Sequence, residues 1–231
     1  MTITASKIIQ DCVTIAQDTT STRWSIDEVC RYFNWAQREV LIHRPDAKQT
    51  RASITLAAGA KQALPSGALK LLDIHSNGSG GAVRLVNREI LDATIPGWRA
   101  LTGVTAVKHF MYDPKTPLVF EVYPPAASSG ASVDASYSLL PTGITEASAG
   151  GTYADVSGNM DLPDQFAGAV TDLVLYRMYS KDADYAGNAA RAQAHYGAAA
   201  NTLGIEIKGT VAVAPTSPGN PNHPGASRAT V

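Results

Sequence analysis

Side chains able to do chemistry are present in this chain, but nothing in their spacing gathers them. The five histidines, His43, His75, His109, His195 and His223, would be the first candidates for proton transfer or metal ligation. None stands in a His-x-x-x-His or comparable ligand spacing, so no metal site is expected. His195, alone on an alanine-rich segment, reads as a packed or solvated side chain rather than a ligand. Gly78-Ser79-Gly80 sets a serine between glycines. A nucleophile elbow, however, needs Gly-x-Ser-x-Gly between a strand and a helix. Here the serine falls between two expected strands, in a flexible turn. Asp161, Asp164, Asp182 and Asp184 gather around expected helix starts, where capping and the helix dipole account for carboxylates. A hard cation would need about six or more oxygens. Cys12 and Cys30 lie on apolar stripes of expected helices and read as buried core thiols; a disulfide would require those helices side by side with close backbones. No Gly-x-x-x-x-Gly-Lys phosphate loop and no Gly-x-Gly-x-x-Gly fingerprint occurs. The expectation is therefore no catalytic residue, no cofactor and no metal, in a chain that is not an enzyme.

The elements around these residues change period along the chain. Over Ser6 to Asp18, Ile8, Cys12 and Ile15 recur at helical spacing. Thr19 to Thr22 breaks that helix. Ser25-Ile26-Asp27-Glu28 has the pattern of a capping box, with Trp24 as its staple. The buried stripe of the second helix is Ile26, Val29, Cys30, Phe33, Ala36 and Val40, and Pro45 ends it near His43. From Arg51 the pattern turns to strands. Arg51 to Leu56 is one, and Ala58 to Lys61 reads as a turn. Leu69 to Ser76 and Ala82 to Val86 flank Asn77 to Gly81 as a hairpin. Asn87 is placed to cap a short helix through Leu91. Ala106 to Tyr112 and Leu118 to Tyr123 form a second hairpin around Asp113 to Pro117. Val133 to Leu139 alternates as a strand with one wet face. A Gly/Ser-rich loop covers Gly143 to Asn159. Helix returns after Leu162-Pro163 and reaches Ser180. A last helix carries the seam Tyr185, Ala189, Ala192, Tyr196, Ala199 and Leu203, with Gly204 as its stop.

The expected fold class is therefore α+β. Residues 1–50 and 160–208 form one helical bundle, because each helix has a single apolar stripe that needs a partner. Residues 51–159 are an antiparallel β insertion. Residues 209–231 are an extended or disordered tail, rich in Pro, Gly, Ser and Ala. Within it Pro215, Pro218, Pro221 and Pro224 fall three apart, which places them on one edge of a polyproline II helix. At about 3.1 Å per residue the tail would reach on the order of 70 Å, enough to cross a neighbouring subunit. It is a candidate docking strap; the alternative is a solvated linker.

Composition narrows the function classes. The chain has 231 residues, 45% of them hydrophobic, enough for a sizeable core. Only 17% are charged, below the usual value of about 25%, as fits a surface partly covered by partners. The formal net charge is −1, and cations such as Arg38, Arg44, Lys48 and Arg51 are scattered, so sequence-reading of DNA or RNA is not expected. No apolar run is long enough to span a bilayer, and residues 1–10 lack the pattern of a signal peptide. The chain is expected to be made and used in a cytoplasm, or in a particle assembled there, without a membrane anchor.

Several runs in order resemble one group of proteins. They are Trp35-Ala36-Gln37-Arg38-Glu39-Val40 with Arg44-Pro45-Asp46, then Gly59 to Pro65 (Gly-Ala-Lys-Gln-Ala-Leu-Pro) and Pro96-Gly97-Trp98. Phe120-Glu121-Val122-Tyr123-Pro124-Pro125, Leu162-Pro163-Asp164, Leu175-Tyr176-Arg177 to Lys181-Asp182-Ala183, and Ala192 to Tyr196 complete the series. In order and spacing, over about residues 1–205, the chain resembles the head-to-tail adaptor (connector) proteins of tailed bacteriophages. The resemblance implies a virion protein at the head-tail junction, assembled in the host cytoplasm as a ring of twelve beneath the portal. Its implied partners are the portal protein, a tail or nozzle protein, further copies of itself, and double-stranded DNA passing through the lumen without sequence recognition. The helical part would form the ring wall and portal contact, and the β insertion would face outward or toward the next tail component. A carbohydrate- or protein-binding module of a phage particle, using Trp98 and nearby tyrosines, is the competing reading.

Overall fold

Four of the five α-helices among the described residues share one core, and they come from the two ends of the sequence. In a computed structural model, residues 2–145, 151–185 and 187–213 are described. Helix α1 (Ala5–Ile15) starts at Thr4, whose hydroxyl accepts from the Lys7 amide, and it buries Ile8, Ile9, Cys12 and Val13. Helix α2 (Ile26–His43) buries the whole expected stripe and stops just before Pro45. Between them the chain reverses through Gln17 and Ser21, both in the left-handed region (φ 56° and 53°). The Asp18 carboxylate holds that reversal. It accepts the amides of Thr22, Arg23 and Trp24 at 3.0, 2.9 and 2.9 Å.

The expected capping box at Ser25 is not formed. Ser25 is the N-cap residue, but its side chain makes no cap hydrogen bond. Glu28 instead accepts from the Tyr32 hydroxyl at 2.7 Å and from Lys181 at 2.6 Å, so a long-range ion pair has taken the side chain that a box would need. Trp24 is buried and lies edge-on to Tyr179, and its indole N–H donates to the Met178 carbonyl at 2.8 Å. That carbonyl belongs to the last turn of helix α4 (Ala167–Lys181), where backbone acceptors lack helical partners. Trp24→Phe keeps most of the packed surface and removes this donor. It should cost about 1–2 kcal/mol, read from urea unfolding.

Helix α4 follows a short 3-10 turn, Asp164–Phe166, and packs against α1, α2 and α5. Its buried residues, among them Val170, Leu173, Val174, Leu175 and Met178, lie on more than one face, as a central helix requires. Helix α5 (Asn188–Val213) lies along α4. Its seam is narrower than the sequence suggests. Ala192, Ala199 and Leu203 are buried, whereas Tyr185, Ala189 and Tyr196 are exposed. Gly204 does not stop it, and residues 209–213, read as the start of the tail, continue the helix to Val213. A glycine inside a helix costs only about 1 kcal/mol against alanine, too little to end one by itself. Pro215, Pro218, Pro221 and Pro224 lie outside the described residues.

The insertion consists of two sheets around a second core. Strands β1 (Gln49–Thr55), β7 (Ser132–Leu139) and β3 (Ala68–Asn77) make a three-stranded antiparallel sheet with β7 in the middle. Strands β2 (Gly59–Ala63), β6 (Val119–Ala126), β5 (His109–Tyr112) and β4 (Arg84–Leu85) make the other, in that order. Ile54, Leu71, Ile74, Phe110, Phe120, Val122 and Val133 fill the core that the sheets share. The β5–β6 hairpin is as expected. Three features differ. The segment read as a turn at Ala58 to Lys61 contributes strand β2. The hairpin expected across Asn77 to Gly81 shrinks to a single bridge between Ser76 and Ala82, and β4 pairs in parallel with β5 of the other sheet. The insertion is thus mixed rather than wholly antiparallel. Asn77 is the cause: its amide donates to the Val107 carbonyl at 3.0 Å, and its oxygen accepts the Ser79 and Gly81 amides, which aims the chain at the second sheet. The wet face of β7 ends early, with Ser138 fully buried.

A third cluster covers the outer face of the four-stranded sheet. Leu91 of helix α3 (Arg88–Thr94) and Trp98 of a short 3-10 turn lie on Ala60 and Met111. Asn87 caps α3 as the sequence indicates, accepting from the Glu89 amide at 2.9 Å.

Candidate assembly surfaces

The joint between the helical bundle and the insertion is built from the runs that carry the adaptor resemblance. Arg44, 5% exposed, holds Asp46 with two hydrogen bonds, Nε to Oδ1 at 3.0 Å and a terminal nitrogen to Oδ2 at 2.7 Å. Its guanidinium lies over Phe166, 5.7 Å from the ring centroid. Lys48 pairs with Asp161, whose backbone amide donates to the Gln37 side-chain oxygen Oε1 at 2.7 Å. Burial pushes the Asp161 carboxyl up, but hydrogen bonds from Lys48 and Thr142 and the Lys48 charge outweigh it, and the group sits below the usual carboxylate range. The Arg44 hydrogen bond does the same for Asp46. These bonds join α2 and the turn after it to the segment before α4, more than a hundred residues away in sequence.

Three of the four clustered carboxylates do more than sit at helix ends. Asp161 binds Lys48, Asp164 accepts from the Ile3 amide at 3.2 Å, and Asp182 pairs with Arg23. Each closes a contact over a long sequence distance, which dipole arguments do not anticipate. Asp184 is exposed.

The histidines do not converge. His195 is neither lone nor simply solvated. Its Nδ1 lies 2.9 Å from an Asp172 oxygen and its ring stacks on Tyr179, clipping α5 to α4. His75 meets the Ser136 hydroxyl at 2.7 Å, His43 lies 3.6 Å from Glu39, and His109 stacks on Tyr123. His223 lies outside the described residues. Among the described residues no group of three His, Cys, Asp or Glu side chains could hold a metal ion. The Ser79 hydroxyl donates to Asn77 at 2.7 Å inside its turn. Cys12 and Cys30 are buried and not joined in a disulfide, and burial pushes the Cys12 thiol far above its ordinary range. Trp98 is 0% exposed, so it offers no face for stacking a sugar. Among the described residues no helix is long and apolar enough to cross a membrane.

Two surfaces stand out instead. On the helical bundle, Trp35, Tyr176 and Tyr196 run ring to ring across α2, α4 and α5, with centroids 6.2 and 5.1 Å apart, and Arg177 lies over Trp35 at 3.9 Å. On the insertion, a groove of about 670 Å³ crosses the four-stranded sheet beside α3. Leu85, Met111 and Val119 line it, with Lys61, Arg88 and Glu121 also at its walls. Neither surface was legible from motifs. The aromatic row joins residues of three helices, and the groove exists because α3 covers only part of a sheet face.

No curated protein matches the chain. A family model described as SU10 adaptor protein matches residues 3–222, nearly the whole length, helical ends and insertion together. With a match of that extent, the chain belongs to the SU10 adaptor protein family and is a phage adaptor.

Proposed function

We propose that this chain is a structural, non-catalytic ring subunit at the head-tail junction of a phage. Twelve copies would sit beneath the portal, extend the DNA channel without reading sequence, and present a surface to the next tail or nozzle protein. The observation that carries this reading is the adaptor family match over residues 3–222. The surface chemistry fits it: the described histidines are packed or paired locally and three of the four clustered carboxylates are taken up in long-range contacts, while apolar and aromatic surface is left open. Free subunits should be mostly monomeric at micromolar concentration, because a free ring would leave its portal-facing surface uncovered. The test is sedimentation of the purified chain with purified portal from the same phage. Co-sedimentation near one subunit per portal subunit is expected; a chain that stays at the top of the gradient beside intact portal contradicts the reading. The competing module on the β insertion would need an exposed aromatic platform, which the buried Trp98 does not provide.

The tail has a place in this reading as a strap to the portal or to a neighbouring subunit, with Pro215, Pro218, Pro221 and Pro224 preset for extended binding. Because α5 runs to Val213, the informative truncation is after that residue rather than after Lys208. The shortened chain should keep its melting temperature and lose about tenfold in apparent affinity for portal, roughly 1.4 kcal/mol. Unchanged portal binding by the truncated chain would show that the segment is only a linker.

A further inference from the structure

Three cations of the helical bundle, Arg38, Arg177 and Arg191, have no carboxylate partner among the described residues; Arg191 lies over Tyr179, and the other two share one stripe. Arg177, exposed on α4, lies over the rings of Trp35 and Tyr176 and makes no ion pair among the described residues. Arg38, also exposed, follows Trp35 by three residues on the same face of α2, and Ile42, 70% exposed, comes one turn later. Other cations of the bundle are compensated: Lys7 by Asp11, Arg23 by Asp182, Lys48 by Asp161 and Lys181 by Glu28. Uncompensated positive charge thus lies beside aromatic surface. Trp, Tyr and Arg are the residue types that dominate binding energy at protein interfaces. A purely internal role for the row accounts for the stacked rings but not for the unpaired charge.

The same chain carries a complement. Asp184, at the corner between α4 and α5, is exposed and has no partner among the described residues. Tyr185 beside it is 62% exposed, with the Arg23 guanidinium over one side of its ring at 4.5 Å. An exposed carboxylate next to a partly exposed ring suits a surface of two guanidinium groups and an indole, chiefly through charge-assisted hydrogen bonds. Glu89 is likewise exposed without an ion pair, but its neighbour Ile90 offers no ring face to a guanidinium. Two different, complementary patches on one molecule give a head-to-tail contact, the kind that closes into rings.

We propose that the Asp184–Tyr185 corner of one copy docks on the Trp35–Arg38–Arg177 stripe of the next copy. This rests on the ring reading above and names the contact between neighbours. The geometry makes a strict demand on charge. In Arg177→Glu a carboxylate faces Asp184 and only Arg38 stays positive on the stripe, and in Asp184→Arg both patches are basic, so each variant is impaired in joining its own kind. Mixed in equal amounts, the two variants regain complementary contacts in strict alternation, which a ring with an even number of subunits accommodates.

The experiment uses full chains with purified portal, read by sedimentation, with circular dichroism to confirm folding. Each single variant should lose at least tenfold in portal-bound subunits, the equal mixture should recover to within about threefold of wild type, and Glu89→Arg should behave as wild type. A second readout, sedimentation velocity of the free chains at high concentration, needs no portal: the mixture should sediment faster than either variant alone. Single variants that assemble as wild type does, a mixture no better than its components in both readouts, or rescue of Arg177→Glu by Glu89→Arg would overturn the contact. If wild type fails on portal while the free mixture still associates, the contact stands and the portal reading falls.

Discussion

Trp98→Ala should destabilise the β insertion by about 3–5 kcal/mol, the usual cost of emptying a fully buried tryptophan site. Trp98 is 0% exposed, sits edge-on to Tyr123 at 5.9 Å, and donates its indole N–H to Asp92 at 2.8 Å. It is the largest side chain holding α3 and its following turn onto the four-stranded sheet. Without it the outer layer loses its anchor, and the groove beside α3 loses a wall. Amide exchange should rise across Asn87 to Leu101 and strand β5 first, while the helical bundle stays protected, because its core is separate. A second readout follows from charge. The Trp98 hydrogen bond, ahead of the Arg99 contacts, holds the Asp92 carboxyl below its usual range. In the variant Asp92 should titrate closer to an ordinary carboxylate, measured by NMR. Uniform exchange across the whole chain would show that bundle and insertion do not unfold separately.

Asp18→Ala should cost about 3 kcal/mol in the helical bundle, a large effect for a residue in a connecting turn. Its carboxylate accepts three successive backbone amides, that of the buried Trp24 among them. It also stabilises a turn with Gln17 and Ser21 in the left-handed region, a conformation that costs non-glycine residues about 1 kcal/mol or more each. Alanine leaves three donors without an acceptor and frees the turn to unwind. Asp18→Asn keeps one acceptor oxygen and should lose only about 1 kcal/mol. Urea unfolding of both variants separates lost hydrogen bonds from lost shape: equal losses would mean that the carboxylate matters only as a packed group.

What the sequence made legible follows from what is periodic. The α2 stripe from Ile26 to Val40, the strand at Val133 to Leu139, the β5–β6 hairpin and the cap at Asn87 all repeat or punctuate locally, and all stand where expected. Strand β2 escaped because Gly59-Ala60-Lys61-Gln62 is short and polar. What fixes its start is a side chain: Gln62 hydrogen bonds the Ala57 backbone at both N–H and carbonyl and also donates to the Gly59 carbonyl. The parallel pairing of β4 with β5 depends on Asn77 reaching Val107, thirty residues away. The joint depends on Lys48 meeting Asp161 over 113 positions of sequence. Such contacts leave no periodic trace. They explain why aspartates read as helix caps proved to be long-range partners.

The candidate surfaces show the same division. Ordered motifs pointed to an adaptor, and Arg44 of the Arg44-Pro45-Asp46 run meets Phe166, just after Leu162-Pro163-Asp164, at the joint. The aromatic row of Trp35, Tyr176 and Tyr196 was not legible, because its members face one another only once three helices have packed. His195, read as packed or solvated, is packed, but its partner Asp172 was not legible because it lies on another helix. Sequence periodicity identifies which faces are buried within a chain. It is silent on which exposed faces are later buried between chains, and for an adaptor those carry the function.

The central claim is a location, so the most direct test is to find the chain in the particle. A cryo-EM reconstruction of the head-tail junction of the intact virion should show a ring immediately below the portal. Its subunits should accept the helical bundle of α1, α2, α4 and α5, with the β insertion pointing away from the ring wall. Density at that position that fits another protein, with this chain found elsewhere in the particle or missing from it, would contradict the account.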